Sequence, residues 1–190
     1  MLMSGDVPQG SLCTTNSVSN LIEELQYTLG EGPCIDAYRS DATVSEVDLA
    51  QPDTSRWLAF TPRVLEVGVR AVFGFPLREG EARVGALNVY QDRPGPLSPD
   101  QRGDALVMAD VIAHWVLEVQ GNAVPGTLAT ELEAGSDLHL IVHNAAGILS
   151  VQRDMSVAEA LIRLRAHAFA ENRPVRDVAQ DIVEHRLKLP

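Results

Sequence analysis

The carboxy-terminal residues 142–190 divide into helix-sized segments at defined break points, and this division constrains the fold more than any other feature of the chain. In the first segment, residues 138–152, three apolar residues have the spacing of one helical face: Ile141, Ala145 and Ile148. Ser156 and Glu159 match a capping box that starts a second helix. Pro174 does not fit a helix interior but suits the first turn of a third helix. The sequence therefore predicts three consecutive helices.

The spacing of apolar residues also predicts which side chains these helices bury. The second helix is predicted to end near residues 171–172, and its core face comprises Val157, Leu161, Leu164 and Ala168. The third helix is predicted to bury Val175, Val178, Ala179 and Ile182.

Four strings within this region carry a family resemblance. They are VHNAAGIL at 142–149, SVAEAL at 156–161, LRAHAF at 164–169 and NRPVRDVA at 172–179. Taken together at these spacings, they resemble the ANTAR domain. ANTAR domains are three-helix modules that bind paired small RNA hairpins and prevent transcription termination. The resemblance thus implies an RNA-binding antitermination regulator, although the commoner form of the family has a lysine where this chain has Ala146.

The two parts of the chain differ in charge. Residues 1–137 hold 8 Lys+Arg against 20 Asp+Glu, a net charge of −12, whereas residues 138–190 hold 7 against 6, a net charge of +1. An acidic surface repels nucleic acid, so we expect RNA to contact the carboxy-terminal part only. With so small a basic excess, binding there depends on where a few arginines are placed.

Arginines at the start of the third helix are the strongest phosphate candidates. Arg173 and Arg176 flank Pro174, where exposed backbone N–H groups favour anions. Three further arginines are predicted to take part, namely Arg165, Arg153 and Arg163. For Arg163, an ion pair with Glu159 one turn earlier is the alternative interpretation.

Small residues in the first helix suggest a second element of the RNA surface. Ala146 and Gly147, with Ser150, form a strip poor in side-chain bulk where RNA or another helix can approach closely. Tight packing within the module is the alternative explanation.

The amino-terminal part is predicted to be built around a hairpin. Residues 72–77 and 84–90 are apolar strand candidates joined by the polar stretch 78–83. Further strands are predicted at residues 11–15 and 43–47, and helices at 18–29, 33–38, 55–67 and 98–120. The helix at 55–67 is predicted to make apolar contacts through Trp57, Leu58, Val64 and Leu65.

The helix at 98–120 begins with a strong start signal and is apolar on more than one side. Ser98 suits the N-cap, and Gln101 follows three residues later. A helix with such a pattern must be covered on two sides, and we expect it to form a homodimer contact.

The order of these elements resembles a GAF domain. The resemblance rests on the GPC turn at 32–34, the strand ending FPL at 75–77, the hairpin, VGAL at 84–87 and the closing helix. It implies a central antiparallel sheet flanked by helices, which senses an unidentified small molecule or dimerises. GAF domains normally have a helix before the first strand, whereas this chain is already strand-like at residues 1–3.

The overall prediction is an α+β fold, in which a GAF-like antiparallel sheet flanked by helices is followed by an all-α, ANTAR-like module. The expected boundaries are 1–121 for the first domain, 122–137 for a linker with two glycines and a proline, and 138–190 for the second.

Composition excludes several other classes of protein. Lys188 is the single lysine, so a P-loop and a receiver domain of the usual type are excluded. The chain shows neither a membrane-length apolar run nor a signal peptide, so a cytoplasmic protein without a membrane partner is expected. No catalytic, metal or cofactor site is predicted.

Two alternative functions remain open. The first is a sensor or scaffold that acts through protein partners, supported by the weak basic excess and by Ala146 in place of lysine. The second is a thiol reductase centred on Cys34, since some GAF-fold enzymes reduce methionine sulfoxide. Cys34 follows a glycine-rich turn, which can lower a thiol pKa, but neither Cys34 nor Cys13 belongs to a clustered pair.

Overall fold

The computed structural model describes residues 1–4, 7–51, 56–122, 132, 137–171 and 173–189. The chain forms two compact units, Met1–Glu133 and Ala134–Pro190.

The first unit contains a five-stranded antiparallel sheet. Its strands are β1 (Leu2–Ser4), β2 (Val7–Gly10), β3 (Val44–Glu46), β4 (Ala71–Glu79) and β5 (Ala82–Gln91), in the spatial order β2-β1-β5-β4-β3. Its helices are α1 (Ser17–Leu29), α2 (Pro33–Ser40), α3 (Phe60–Glu66) and α4 (Pro99–Gly121).

The hairpin predicted from the sequence is the centre of this sheet. β4 and β5 pair over their full length, with Phe75 opposite Leu87, and the register shifts between Leu77 and Arg78. β4 is buried along most of its length because helices cover both of its faces. This explains why its sequence is almost continuously apolar.

Small residues allow helices to approach both faces of β4. On one face, a Cβ added to Gly74 would lie 2.3 Å from the carbonyl oxygen of Pro33, so only glycine lets α2 pack this closely. On the other face, three alanines of α4 pack against alternate β4 residues: Ala105, Ala109 and Ala113 contact the cluster of Ala71, Phe73, Phe75 and Leu77. The predicted capping box of α4, Ser98 with Gln101, is present.

The strand predicted at residues 11–15 is wrong. Strand β2 ends at Gly10, whose φ of 148° few other residues adopt, and residues 11–16 form no regular element. Asn16 instead caps α1 by accepting a hydrogen bond from the Ser19 amide.

The helix predicted at 55–67 is shorter than expected and starts at Phe60. Trp57 has a φ of 60°, which interrupts helical geometry before that point. Glu31, from a distant part of the sequence, accepts hydrogen bonds of 2.7 Å from the amides of Ala59 and Phe60 and so caps the helix. The apolar contact predicted for Leu58 is wrong, because its side chain is 76% exposed.

The second unit contains three helices: α5 (Asp137–Arg153), α6 (Val157–Ala170) and α7 (Val175–Val183). The predicted capping box of Ser156 and Glu159 starts α6. The four residues predicted to form the core face of α7 are all buried, as are three of the four predicted for α6: Val175, Val178, Ala179, Ile182, Leu161, Leu164 and Ala168. Val157 is exposed, because it lies in the first turn of α6, so that part of the prediction is wrong.

The face of α5 that forms the core differs from the predicted face. Val142, Ala145, Ala146 and Leu149 are buried, whereas Ile141 and Ile148 are only half-buried. The buried stripe is thus rotated by about one residue from the predicted one, and Ala145 is common to both.

The architecture is α+β, an antiparallel sheet flanked by helices and followed by carboxy-terminal helices, as predicted. Most of the expected linker at 122–137 lies outside the described residues. Leu132, which falls within it, is buried against Leu2 and Val116 of the first unit. None of the described helices has the length and apolar character that a bilayer span requires.

Candidate nucleic-acid interface

The turn from α6 to α7 fixes the position of Arg173. The Arg173 amide donates a 2.9 Å hydrogen bond to the carbonyl of Ala168, which holds the chain against the last turn of α6. Pro174 then acts as the N-cap residue, and α7 begins at Val175. The predicted phosphate residues Arg173 and Arg176 therefore lie together at the start of α7.

The guanidinium group of Arg173 is held by an acidic partner on α7. Its Nη2 atom lies 2.7 Å from Oδ2 of Asp181, and the Arg173 side chain is 40% exposed. The sequence did not predict an acidic partner for Arg173. Arg173 is thus oriented by a carboxylate but keeps a surface that another anion can reach.

Asp181 binds a second arginine as well. Nη2 of Arg186 lies 2.7 Å from the Oδ1 atom of Asp181, and Arg186 also pairs with Glu184. Hydrogen bonds from Arg173 and then from Arg186 hold the pKa of Asp181 below its ordinary value. The Asp181 hydrogen bond likewise raises the pKa of Arg173. Arg173 and Asp181 therefore both stay charged near neutral pH.

Arg176 has a different environment. Its side chain is exposed and makes no hydrogen bond or ion pair with any residue that the structure describes. It lies within the first turn of α7, where backbone N–H groups point towards solvent. Of the two arginines that flank Pro174, Arg176 is the one whose cation a phosphate can bind without displacing an acidic partner.

The remaining predicted arginines are divided between exposed and packed positions. Arg153 ends α5, and its Nη2 atom donates to the carbonyl oxygen of Leu189. Arg165 is half-buried on α6. Arg163 is exposed one turn after Glu159, and its charge adds to the Ser156 hydrogen bonds that lower the pKa of Glu159. The turn between α6 and α7 thus brings Arg173 and Arg176 together, while Arg153 is tied to the end of the chain.

The prediction that Ala146 belongs to an RNA surface is wrong. Its side chain is 0% exposed, because it lies on the buried face of α5. Gly147 is half-buried, and a Cβ built there would meet no atom within 4 Å among the residues described. Packing within the module does not require glycine at this position, so an approach by another molecule remains a proposal for Gly147 alone.

A broad apolar face is exposed on α4. While its alanines pack on the sheet, five large apolar side chains face solvent: Leu106, Val107, Met108, Val111 and Trp115. Val107, Val111 and Trp115 follow one another at intervals of four residues and so lie along one side of the helix. Asp104 and Glu118 flank this strip at either end and are exposed. Two sides of α4 were predicted to be covered. The sheet covers one of them, and the other is exposed.

The environment of Cys34 is that of a buried structural thiol. Its Sγ atom lies 3.9 Å from Glu23 Oε1 and 3.8 Å from the carbonyl of Ala86. Burial raises the pKa of Cys34, and the charge of Glu23 raises it further. The glycine-rich turn therefore does not produce a reactive thiolate. Cys13 is exposed, and both cysteines are free.

Sequence reasoning missed two features near the predicted site. Asp181, in the last turn of α7, bonds to Arg173 before the helix and to Arg186 after it, and no sequence motif marks these bonds. Phe169 is exposed at the end of α6, and the sequence motif that contains it predicted no role for it. An aromatic residue that falls off the core spacing was the signal that could have identified it.

Among known proteins the chain has one family match and one distant structural likeness. The family model of the ANTAR domain matches residues 130–183. No curated protein matches the chain. Among solved structures, the chain is similar to a type II free methionine-R-sulfoxide reductase from Thermoplasma acidophilum at 23% identity, with a TM-score of 0.38. That match covers 47% of this chain and 59% of the reductase chain, a likeness too low to carry any activity or ligand across.

Proposed function

We propose that this chain is an RNA-binding transcription antitermination regulator whose carboxy-terminal module binds hairpin RNA. The observation that carries the proposal is the ANTAR match over residues 130–183, because that family consists of RNA-binding antitermination regulators. The match contains α5, α6 and α7 up to Val183. A hairpin held by the module would be unable to rearrange into a terminator.

The arginines at the start of α7 are the proposed phosphate contacts. Arg176 supplies an exposed cation, and Arg173 supplies one that Asp181 already orients. Phosphate contacts of this kind position a protein on RNA, while unpaired loop bases provide the sequence specificity. Arg165, Arg163, Arg153 and Gly147 are proposed to border this contact surface.

Dimerisation through α4 is part of the proposal. Its exposed strip of Val107, Val111 and Trp115 is continuous and apolar, and it lies opposite the alanine face that packs on the sheet. Two copies related by a twofold axis can cover each other's strips and remove this apolar surface from water. A dimer carries two RNA modules, so two paired hairpins bind with a higher effective concentration than one.

The first unit is proposed to act as a GAF-like domain for dimerisation or for sensing a small molecule. Its five-stranded antiparallel sheet, with α2 on one face and α4 on the other, supports this role. Because α4 both closes the sheet and carries the proposed dimer face, a ligand that shifts α4 would change how the two modules are presented.

The proposal is tested with a pool of tandem RNA hairpins whose loops are randomised. The full chain is used to select binders, and the enriched RNA is then titrated by fluorescence anisotropy at several salt concentrations. Arg173→Ala/Arg176→Ala is compared with Arg39→Ala/Arg63→Ala, which removes the same charge from the first unit. We expect a weaker affinity and a shallower salt dependence for the first double variant only.

Failure to enrich any hairpin with a folded, dimeric sample would contradict RNA binding itself. Equal affinities for the two double variants would instead remove the arginine assignment. Capture of a protein partner by a sample that retains no RNA would support the scaffold alternative.

A further inference from the structure

The outer side of α6 carries an apolar strip that the module does not cover. Ile162 and Phe169 lie two helical turns apart on the same side of α6, and they are 63% and 57% exposed. Ala158 and Ala166, also exposed, lie between and beside them. The strip is therefore a flat surface that ends in an aromatic ring.

Arginines lie on both sides of Phe169 along the chain. Arg165 precedes it by one helical turn, and Arg173 is fixed close to it by the hydrogen bond from its amide to Ala168, the neighbour of Phe169. The acidic Glu159 at the far end of α6 is engaged with Ser156 in the capping box. Glu171, two residues after Phe169, is exposed and acts on Arg173 together with Asp181 and Asp177. The charge near the ring is therefore mixed, and a nucleic-acid partner follows from the proposed function of the module and not from a basic excess.

An exposed aromatic ring beside cations matches the chemistry of an unpaired nucleotide. A base stacks on the face of the ring, and the phosphates on either side of that base bind the arginines. A single exposed apolar residue is ordinary on a protein surface, but an aromatic ring on an apolar strip, followed by an arginine whose side chain is 40% exposed, meets both requirements at once.

We infer that Phe169 is a stacking platform for one unpaired base of the bound RNA, with Ile162 extending the apolar surface and the exposed part of Arg173 binding an adjacent phosphate. This inference rests on the proposed function and specifies how the loop is recognised. Phe169 contributes to affinity through the base, whereas Arg176 contributes through the phosphate backbone.

The test uses a selected hairpin with 2-aminopurine placed in turn at each loop position, titrated with the full chain. Stacking on Phe169 is expected to change the fluorescence of one position and to be lost in Phe169→Leu. That variant is expected to bind about 5- to 150-fold more weakly, the equivalent of about 1–3 kcal/mol for one stacked base. Its salt dependence should match wild type, because no phosphate contact is lost. Phe169→Trp should bind like wild type.

The matched control is Val151→Ala, which trims another exposed apolar side chain of the same unit. The inference is overturned if Phe169→Leu binds like wild type with an unchanged fluorescence signal while wild-type RNA binding is intact. A change in oligomeric state with no effect on the loop base would show that the strip is a protein interface and would equally overturn it. If wild type binds no hairpin, the proposed function fails as well, so the two failures are distinguishable.

Discussion

Nη2 of Arg173, in the turn that joins α6 to α7, lies 2.7 Å from Oδ2 of Asp181 on α7. The pair fixes one of the two arginines at the start of α7, and Arg186 binds the other oxygen of the same carboxylate. Asp181 links α7 to Arg173, so the proposed RNA contact and the stability of this corner depend on the same carboxylate.

Replacement of Asp181 tests this link through pH. The pKa of Asp181 is lowered in the folded chain, so the carboxylate stabilises the fold above its unfolded pKa, about 3.9, and the effect is lost as pH falls through the lower folded value. Asp181→Asn should therefore be less stable than wild type at pH 7, and the difference should shrink below about pH 4. Urea denaturation at several pH values measures it. Asp177→Asn is the control on the same helix, and an Asp181→Asn effect that does not vary with pH would contradict the account.

The capping box of α6 makes a prediction about stability. The Glu159 amide donates to the Ser156 hydroxyl at 3.2 Å, and the Ser156 amide donates to Glu159 Oε2 at 2.9 Å. Ser156→Ala should lower the free energy of unfolding of the module by about 1 kcal/mol. Ser156→Thr keeps an acceptor hydroxyl and should lose less. Denaturation followed by circular dichroism compares both variants with wild type. A Ser156→Ala variant as stable as wild type would show that the cap contributes nothing.

The exposed face of α4 makes a prediction about oligomeric state. Val111 is 63% exposed at the centre of the apolar strip. A charge there would have to be buried in the proposed dimer, so Val111→Glu should shift the chain to a monomer. Sedimentation velocity over a range of concentrations measures the change. Leu58→Glu, a similar substitution at an exposed site outside α4, should leave the dimer intact; a monomeric wild type would refute the interface.

The two cysteines should react at very different rates. Burial and Glu23 keep Cys34 protonated, whereas Cys13 is exposed. Iodoacetamide at pH 7 should modify Cys13 quickly and Cys34 only after denaturation. Peptide mass spectrometry of native and unfolded samples distinguishes them. Rapid alkylation of Cys34 in the native protein would restore the thiol-enzyme alternative.

The sequence predicted those helix starts and turns that are determined by residues close together in the chain. The capping boxes of α4 and α6 and the hairpin of β4 and β5 all follow from residues within a few positions of each other. The buried stripe of α5 was harder to predict, because residues 138–152 contain no charged side chain that marks the solvent face. The apolar spacing therefore predicted Ile141 in the core instead of Val142, and it predicted Ala146 on the exposed face of α5 although Ala146 is buried.

Contacts between distant residues could not be predicted in this way. Glu31 caps α3 from 28 residues away in the sequence. Asp181 on α7 binds Arg173, which lies in the turn before that helix. Both contacts form only in the packed structure, because packing determines which polar groups come within hydrogen-bonding distance. The arginines of the candidate site were found from the sequence, but their division into the paired Arg173 and the exposed Arg176 was not.

Photocrosslinking tests the central claim, RNA binding by the carboxy-terminal module, most directly. A selected tandem hairpin containing 4-thiouridine is crosslinked to the full chain, and the modified peptides are mapped by mass spectrometry. The account predicts crosslinks on α6 and on the first turn of α7, including the peptides that carry Phe169 and Arg176. Crosslinks confined to residues 1–122, or none at all from an RNA that the chain binds, would contradict it.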